Sequence, residues 1–226
     1  MKFISLDSIL NKGYFIDMLL FLLFLLPIAL ITYYVFTKDK KILLPLAASA
    51  LIAMIVCACR FFFSYEHRLV YDSFSDNFIY FSIKQSLLPL LLVTILFAVF
   101  SRDKIEYKVK AFFPTLGAFF AIYLPYCVIA GTEYYYEAYQ LFLKPVIYLA
   151  MLGQISLCLI NAWESITSKK IIFVILDILI ILVYAVYPAV SDALYAIDYS
   201  FALILIIGIL YSLLPLAFFL IKIARK

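Results

Sequence analysis

Five charged side chains fall inside stretches that are otherwise almost wholly apolar: Asp17, Arg60, Lys84, Lys144 and Asp177. A charge at the centre of a membrane helix costs roughly 2.5–3.5 kcal/mol on insertion scales, so each must face protein or water, paired or protonated. Residues in that position commonly mark ion paths and proton relays. Asp177 sits nearest the middle of its stretch and is the first candidate for a charge-bearing or titrating group. Arg60, Lys84, Lys144 and Asp17 lie one to two turns from the ends of four different stretches, where together they predict a polar vestibule. For Lys84 and Lys144 the competing account is snorkelling, in which the long stem carries the ammonium up to the interface, or a structural ion pair. Gln85, Gln154 and Asn161 add polar atoms of the kind that bridges helices.

The elements that must position these groups are seven apolar spans: Tyr14–Phe36, Ile42–Phe63, Phe78–Phe100, Ala111–Gly131, Tyr139–Ala162, Ile171–Ala189 and Ser200–Ile221. Crossing ~30 Å of hydrocarbon takes ~20 residues at 1.5 Å each, and every span meets that length within a few residues. Apolar residues make up 68 % of the chain, well above the roughly 45–50 % of a soluble domain. Short connections oblige neighbouring spans to pack antiparallel. The expected fold class is therefore all-α: a polytopic membrane protein forming one seven-transmembrane-helix bundle, residues 1–226, with several proline-kinked helices.

Charge sets the orientation. The gaps 37–41, 101–110 and 163–170 and the tail 222–226 hold twelve Lys or Arg, whereas the opposite side holds only Lys2, Lys12 and Arg68. That opposite side carries acids instead, counted as Asp7, Glu66, Asp72, Asp76, Glu133, Glu137, Asp192 and Asp198. The positive-inside rule then predicts an outside N-terminus and a cytoplasmic C-terminus in the plasma (inner) membrane. Basic cytoplasmic loops interleaved with Asp103, Glu106 and Glu164 suit anionic lipid headgroups and not nucleic acid. Met1–Gly13 lacks a small-residue cleavage site, so the first span is expected to be retained.

All eight prolines lie in spans. Pro45 and Pro114 are expected near helix starts, where a missing N–H costs little. Pro145 is intermediate, and Pro27, Pro89, Pro125 and Pro215 are expected to free a carbonyl and bend the helix. Ser49, Ala53 and Cys57 recur every four residues, as do Gly117 and Ala121, a spacing that lets helices approach closely. Tyr33, Tyr34, Trp163, Tyr187 and Tyr199 fall at span ends, as interfacial aromatic residues do.

Enzyme signatures are missing from the chain: H-E-x-x-H, G-x-S-x-G and a glycine-rich phosphate loop do not occur. The four cysteines sit in spans without metal-ligand spacing, and His67 stands apart from them. No cofactor or metal is expected, and no enzymatic activity. The last span has no mid-helix lysine for a retinal Schiff base. Receptor-type Asp-Arg-Tyr and Asn-Pro-x-x-Tyr motifs are replaced by Ser101–Asp103 and Leu213–Leu216. Two function classes follow. One is transport of a small solute, ion or lipid, with Asp177 and the basic residues on the path. The other is a non-catalytic subunit that anchors, assembles or regulates a larger membrane complex through membrane-protein partners.

Overall fold

In hydrocarbon every backbone N–H and C=O must be paired within its own segment, which leaves the helix as the one open-chain solution. The structure, a computed structural model, describes residues 19, 22–26, 28–30, 33, 40–63, 73–100, 105–130, 138–169 and 171–224. Among these residues it is all-helical, without strands. A 3-10 turn, Lys40–Ile42, leads into α1, Leu43–Phe63. Helices α2, Phe74–Phe81, and α3, Leu87–Phe100, form one rod through a π turn at Ser82–Ser86. Next come α4, Ile105–Ala130, a second π turn at Tyr139–Leu143, and α5, Lys144–Thr167. Finally α6 spans Ile171–Ala196 and α7 spans Phe201–Ala224.

Among the described residues, five helices are long and apolar enough to cross a membrane: Lys40–Phe62, Phe74–Val99, Tyr107–Ile129, Tyr139–Thr167 and Ile171–Ala196. That fits a multi-pass membrane protein. They coincide with the second to sixth expected spans. In α7 the apolar stretch Phe201–Leu213 is shorter, and the described residues of the first span are helical.

Local chemistry fixes the ends. Ser73 caps α2, its Oγ accepting from the Asp76 N–H at 3.3 Å, which satisfies one of the orphan donors of a helix start. Asp76 in the first turn also complements the helix dipole. The Lys108 ammonium donates to the Ala98 carbonyl at 2.6 Å, tying α4 to the end of α3 where carbonyls lack helical donors. At the end of α6, Asp198 takes a left-handed φ of 53°. The Tyr199 N–H then reaches back to the Leu194 carbonyl and the Asp198 N–H to that of Tyr195, a Schellman closure.

Several helices run further than hydropathy suggested, α4 and α6 furthest. α4 begins at Ile105, so Pro114 lies inside it and not near its start. α6 continues to Ala196, because Ser191 and Asp192 interrupt the apolar run without breaking the helix. Asp192 therefore belongs to the helix interior and not to a loop.

The core is built around α4 and α5. α4 packs on α1, α3 and α5, and α5 on α4, α6 and α7. Phe24 and Ile28 of the first span pack into the same core, and a Cβ on Gly117 would come within 3.2 Å of Ile28. The stripe Ser49, Ala53 and Cys57 is buried on the helix that packs on α4, as the small-residue spacing predicts.

Candidate functional site

Lys144 and Asp192 form a buried ion pair, Nζ to Oδ1 at 2.9 Å, with side chains 7 % and 2 % exposed. Taking both charges out of water costs several kcal/mol each, which only close geometry and further hydrogen bonds offset. Those bonds are present. Lys144 Nζ also donates to Gln85 Oε1 at 2.8 Å, and the Phe81 and Tyr148 rings lie 5.8 Å from it. The Tyr139 hydroxyl donates to Asp192 Oδ1 at 2.9 Å and the Tyr148 hydroxyl to Oδ2 at 3.1 Å. Ser191 Oγ is 3.0 Å from the Tyr139 hydroxyl. With the single phenolic hydrogen committed to Asp192, Ser191 is the donor there. A stacked Tyr195 ring, 4.2 Å away, holds the Tyr139 ring in place.

The two π turns make this convergence possible. In a straight α-helix five residues turn about 500°, leaving Tyr139 some 140° around from Lys144. The turn Tyr139–Leu143 closes instead through the Lys144 N–H to the Tyr139 carbonyl. That wider turn brings Tyr139 round to the face shared by Lys144 and, one α-turn later, Tyr148. Both π turns end just before a proline, Pro145 in one case and Pro89 in the other. Proline has no N–H to give back to the preceding turn, so widening that turn forfeits less.

Proline also explains two long-range tyrosine contacts. Pro89 donates to neither the Lys84 nor the Gln85 carbonyl, whichever spacing is followed, and the Tyr123 hydroxyl of α4 donates to the Lys84 carbonyl. Pro188 leaves the carbonyl of Tyr184 without its i+4 donor, and the Tyr211 hydroxyl of α7 supplies one at 2.8 Å. Ser86 Oγ donates to the adjacent Ala185 carbonyl at 3.2 Å. Neighbouring helices thus re-satisfy the freed groups, as a membrane interior requires.

Of the residues singled out by sequence, Arg60, Lys84 and Lys144 lie at one end of the bundle. Arg60 Nη1 donates to the Tyr123 hydroxyl at 2.7 Å and the Cys127 thiol at 3.1 Å, with its guanidinium over the Tyr123 ring. Lys84 extends one turn toward the start of α2, its ammonium 5.0 Å from the centre of the Tyr80 ring, which is the snorkelling direction. Lys144 does not snorkel; it turns inward to Asp192. Asp17 lies outside the described residues.

Asp177 is buried at 8 % exposure, on the same face of α6 as Asp192 but about 22 Å from it at 1.5 Å per residue. With α6 ending at Ala196, Asp177 sits about 10 Å from the helix midpoint, further from centre than the shorter span implied. It is not part of the Lys144 cluster.

Sequence reasoning missed Asp192, having counted it among loop acids. The signal was present in 185–196, where Ala185, Pro188, Ala189 and Ala193 continue one small-residue face through Asp192. Among the described residues no group of three His, Cys, Asp or Glu is placed to hold a metal ion.

No family model matches this chain, and no curated protein or solved structure matches it.

Proposed function

We propose that this protein is a non-catalytic seven-helix transporter of a small solute or ion, acting alone or within a transport complex. α7 and the first span complete the count of seven, the N-terminus lies outside and the C-terminus in the cytoplasm of the plasma membrane, and anionic lipids bind the basic cytoplasmic loops. The observation that carries the reading is the Lys144–Asp192 pair, buried between helices at the end of the bundle that also holds Arg60. Such a pair is weak evidence for stability alone, since an apolar replacement of similar volume is often as stable, and intramembrane charges commonly serve a path. Asp177, on the same face of α6 toward the cytoplasm, supplies the second acid of that path.

A non-catalytic subunit is the second reading, favoured by α6, whose most apolar window is only 17 % buried and leaves a broad face for a partner. Purification in mild detergent, followed by reconstitution into phosphatidylcholine vesicles and uptake assays over a solute panel, separates the two. A lone particle that moves a solute, with movement lost in Asp192→Asn and Asp177→Asn variants of normal stability, supports transport. A stoichiometric partner protein together with inactive vesicles overturns it in favour of the subunit.

A further inference from the structure

We infer that the face formed by Tyr139, Lys144 and Tyr148 is a carboxylate-binding cradle, which Asp192 fills in this conformation and a small organic carboxylate fills in exchange when a proton neutralises Asp192. This rests on the transport reading and names its substrate class.

Three observations support it. First, the donor set is complete on one segment. The Tyr139 hydroxyl, the Lys144 ammonium and the Tyr148 hydroxyl converge on two carboxylate oxygens at 2.9–3.1 Å, and the second π turn is what aligns them. The acceptor comes from a different helix, α6, so the cradle persists if that carboxylate leaves. Secondly, the groups around the ammonium suit this exchange. Gln85 accepts from it and two aromatic rings flank it, so Lys144 keeps neutral support while its anionic partner changes. Thirdly, charge must balance. With Asp192 seated the site is neutral. A second carboxylate on one ammonium would leave a buried net negative charge, which is prohibitively costly in low dielectric. Protonation of Asp192 restores neutrality, so one proton enters with each carboxylate and both leave together. The titratable groups facing Asp192 are Lys144, Tyr139 and Tyr148. The Cys127 thiol of α4 lies in electrostatic range of Lys144 and Tyr148, and Tyr187 of α6 in range of Tyr139.

The test is lactate binding to the purified full-length protein in detergent, followed by thermal stabilisation, against chloride and methanesulfonate at equal ionic strength. Wild-type protein is expected to bind lactate more tightly as pH falls, by about tenfold per pH unit, the slope for one proton taken up per anion. Asp192→Asn, already neutral, is expected to bind lactate with that slope abolished, and Lys144→Met to bind none. Binding of the neutral acid would instead keep the slope in Asp192→Asn, and that result overturns the inference. So does a wild-type protein indifferent to lactate at acid pH. If Asp192→Asn does not fold, Tyr148→Phe replaces it: weaker lactate binding supports the cradle, and unchanged binding overturns it. Vesicle uptake separates this inference from the reading beneath it. Lactate binding without any transport removes the transport reading and leaves the cradle. Transport of another solute by a protein that ignores lactate removes the cradle and leaves transport.

Discussion

The two most deeply buried membrane-length helices are the least apolar of the five, and the two most apolar are the most exposed. In α4 and α5 the most apolar windows are 83 % and 78 % buried, against 22 % for α1 and 17 % for α6. A soluble protein would sort them the other way. In a bilayer, lipid tails are as apolar as leucine, so apolarity gives a helix no reason to leave the lipid. What draws α4 and α5 inward is polar and aromatic chemistry that lipid cannot satisfy: Tyr123, Tyr139, Tyr148 and Lys144 each find a partner on another helix. The peripheral helices show the complement. On α6, Ile171, Ile172 and Val183 are 65–74 % exposed, while Asp192 on its inner face is sealed.

That contrast is most directly broken at the ion pair. Lys144→Met or Asp192→Leu alone leaves a charge buried without its partner, with an expected loss of about 3–5 kcal/mol. The double variant should lose much less than the sum, and thermal unfolding in detergent of all four proteins measures the coupling. A smaller effect is expected on α1, where one helix has both kinds of face. Ala53→Phe overfills the seam with α4 and should cost about 1–3 kcal/mol. Ile55→Phe, on the lipid face of the same helix, should stay within about 0.5 kcal/mol of the parent. Equal effects at the two positions would mean that the seam is not packed.

The tyrosine contacts allow a finer test. Tyr211→Phe should cost about 0.6–1 kcal/mol by orphaning the Tyr184 carbonyl. In a Pro188→Ala background residue 188 can donate to that carbonyl, and the same substitution should become nearly silent. A change of similar size but opposite sign is expected at Lys169, which closes α5 with a left-handed φ of 58°, strained for a residue with a side chain. Lys169→Gly should therefore raise stability by about 1 kcal/mol, read as a higher unfolding temperature.

Five span positions and the small-residue seam of α1 were legible in the sequence, because length and spacing are local properties. Lys144 stood out as a charge in hydrocarbon, but its cost alone did not decide between snorkelling and an inward partner. Three features were not legible. Asp192 was hidden because a hydropathy window closes at the first polar pair, whereas a helix needs only its backbone paired. The π turns were hidden because Pro89 and Pro145 permit a wide turn but the contacts of Lys144 and Tyr123 are what use it. The order of burial was hidden because hydropathy points the wrong way in a membrane. Asp177 stood out for its depth in its span, apart from the vestibule residues near the span ends, and it lies about 22 Å along α6 from Asp192.

The ion pair also has a consequence in time. Lys144 leaves the ribosome some fifty residues before Asp192, which at ~5–20 residues per second is a delay of about 2–10 s. During that interval α5 enters the insertion machinery with a lysine whose counter-charge does not yet exist. Gln85, synthesised fifty-nine positions earlier, is already in place to accept from the ammonium. The amide that looks redundant beside a finished salt bridge is thus the partner that can hold Lys144 through biogenesis, and its loss would show first in the yield of inserted protein, before any change in the mature fold.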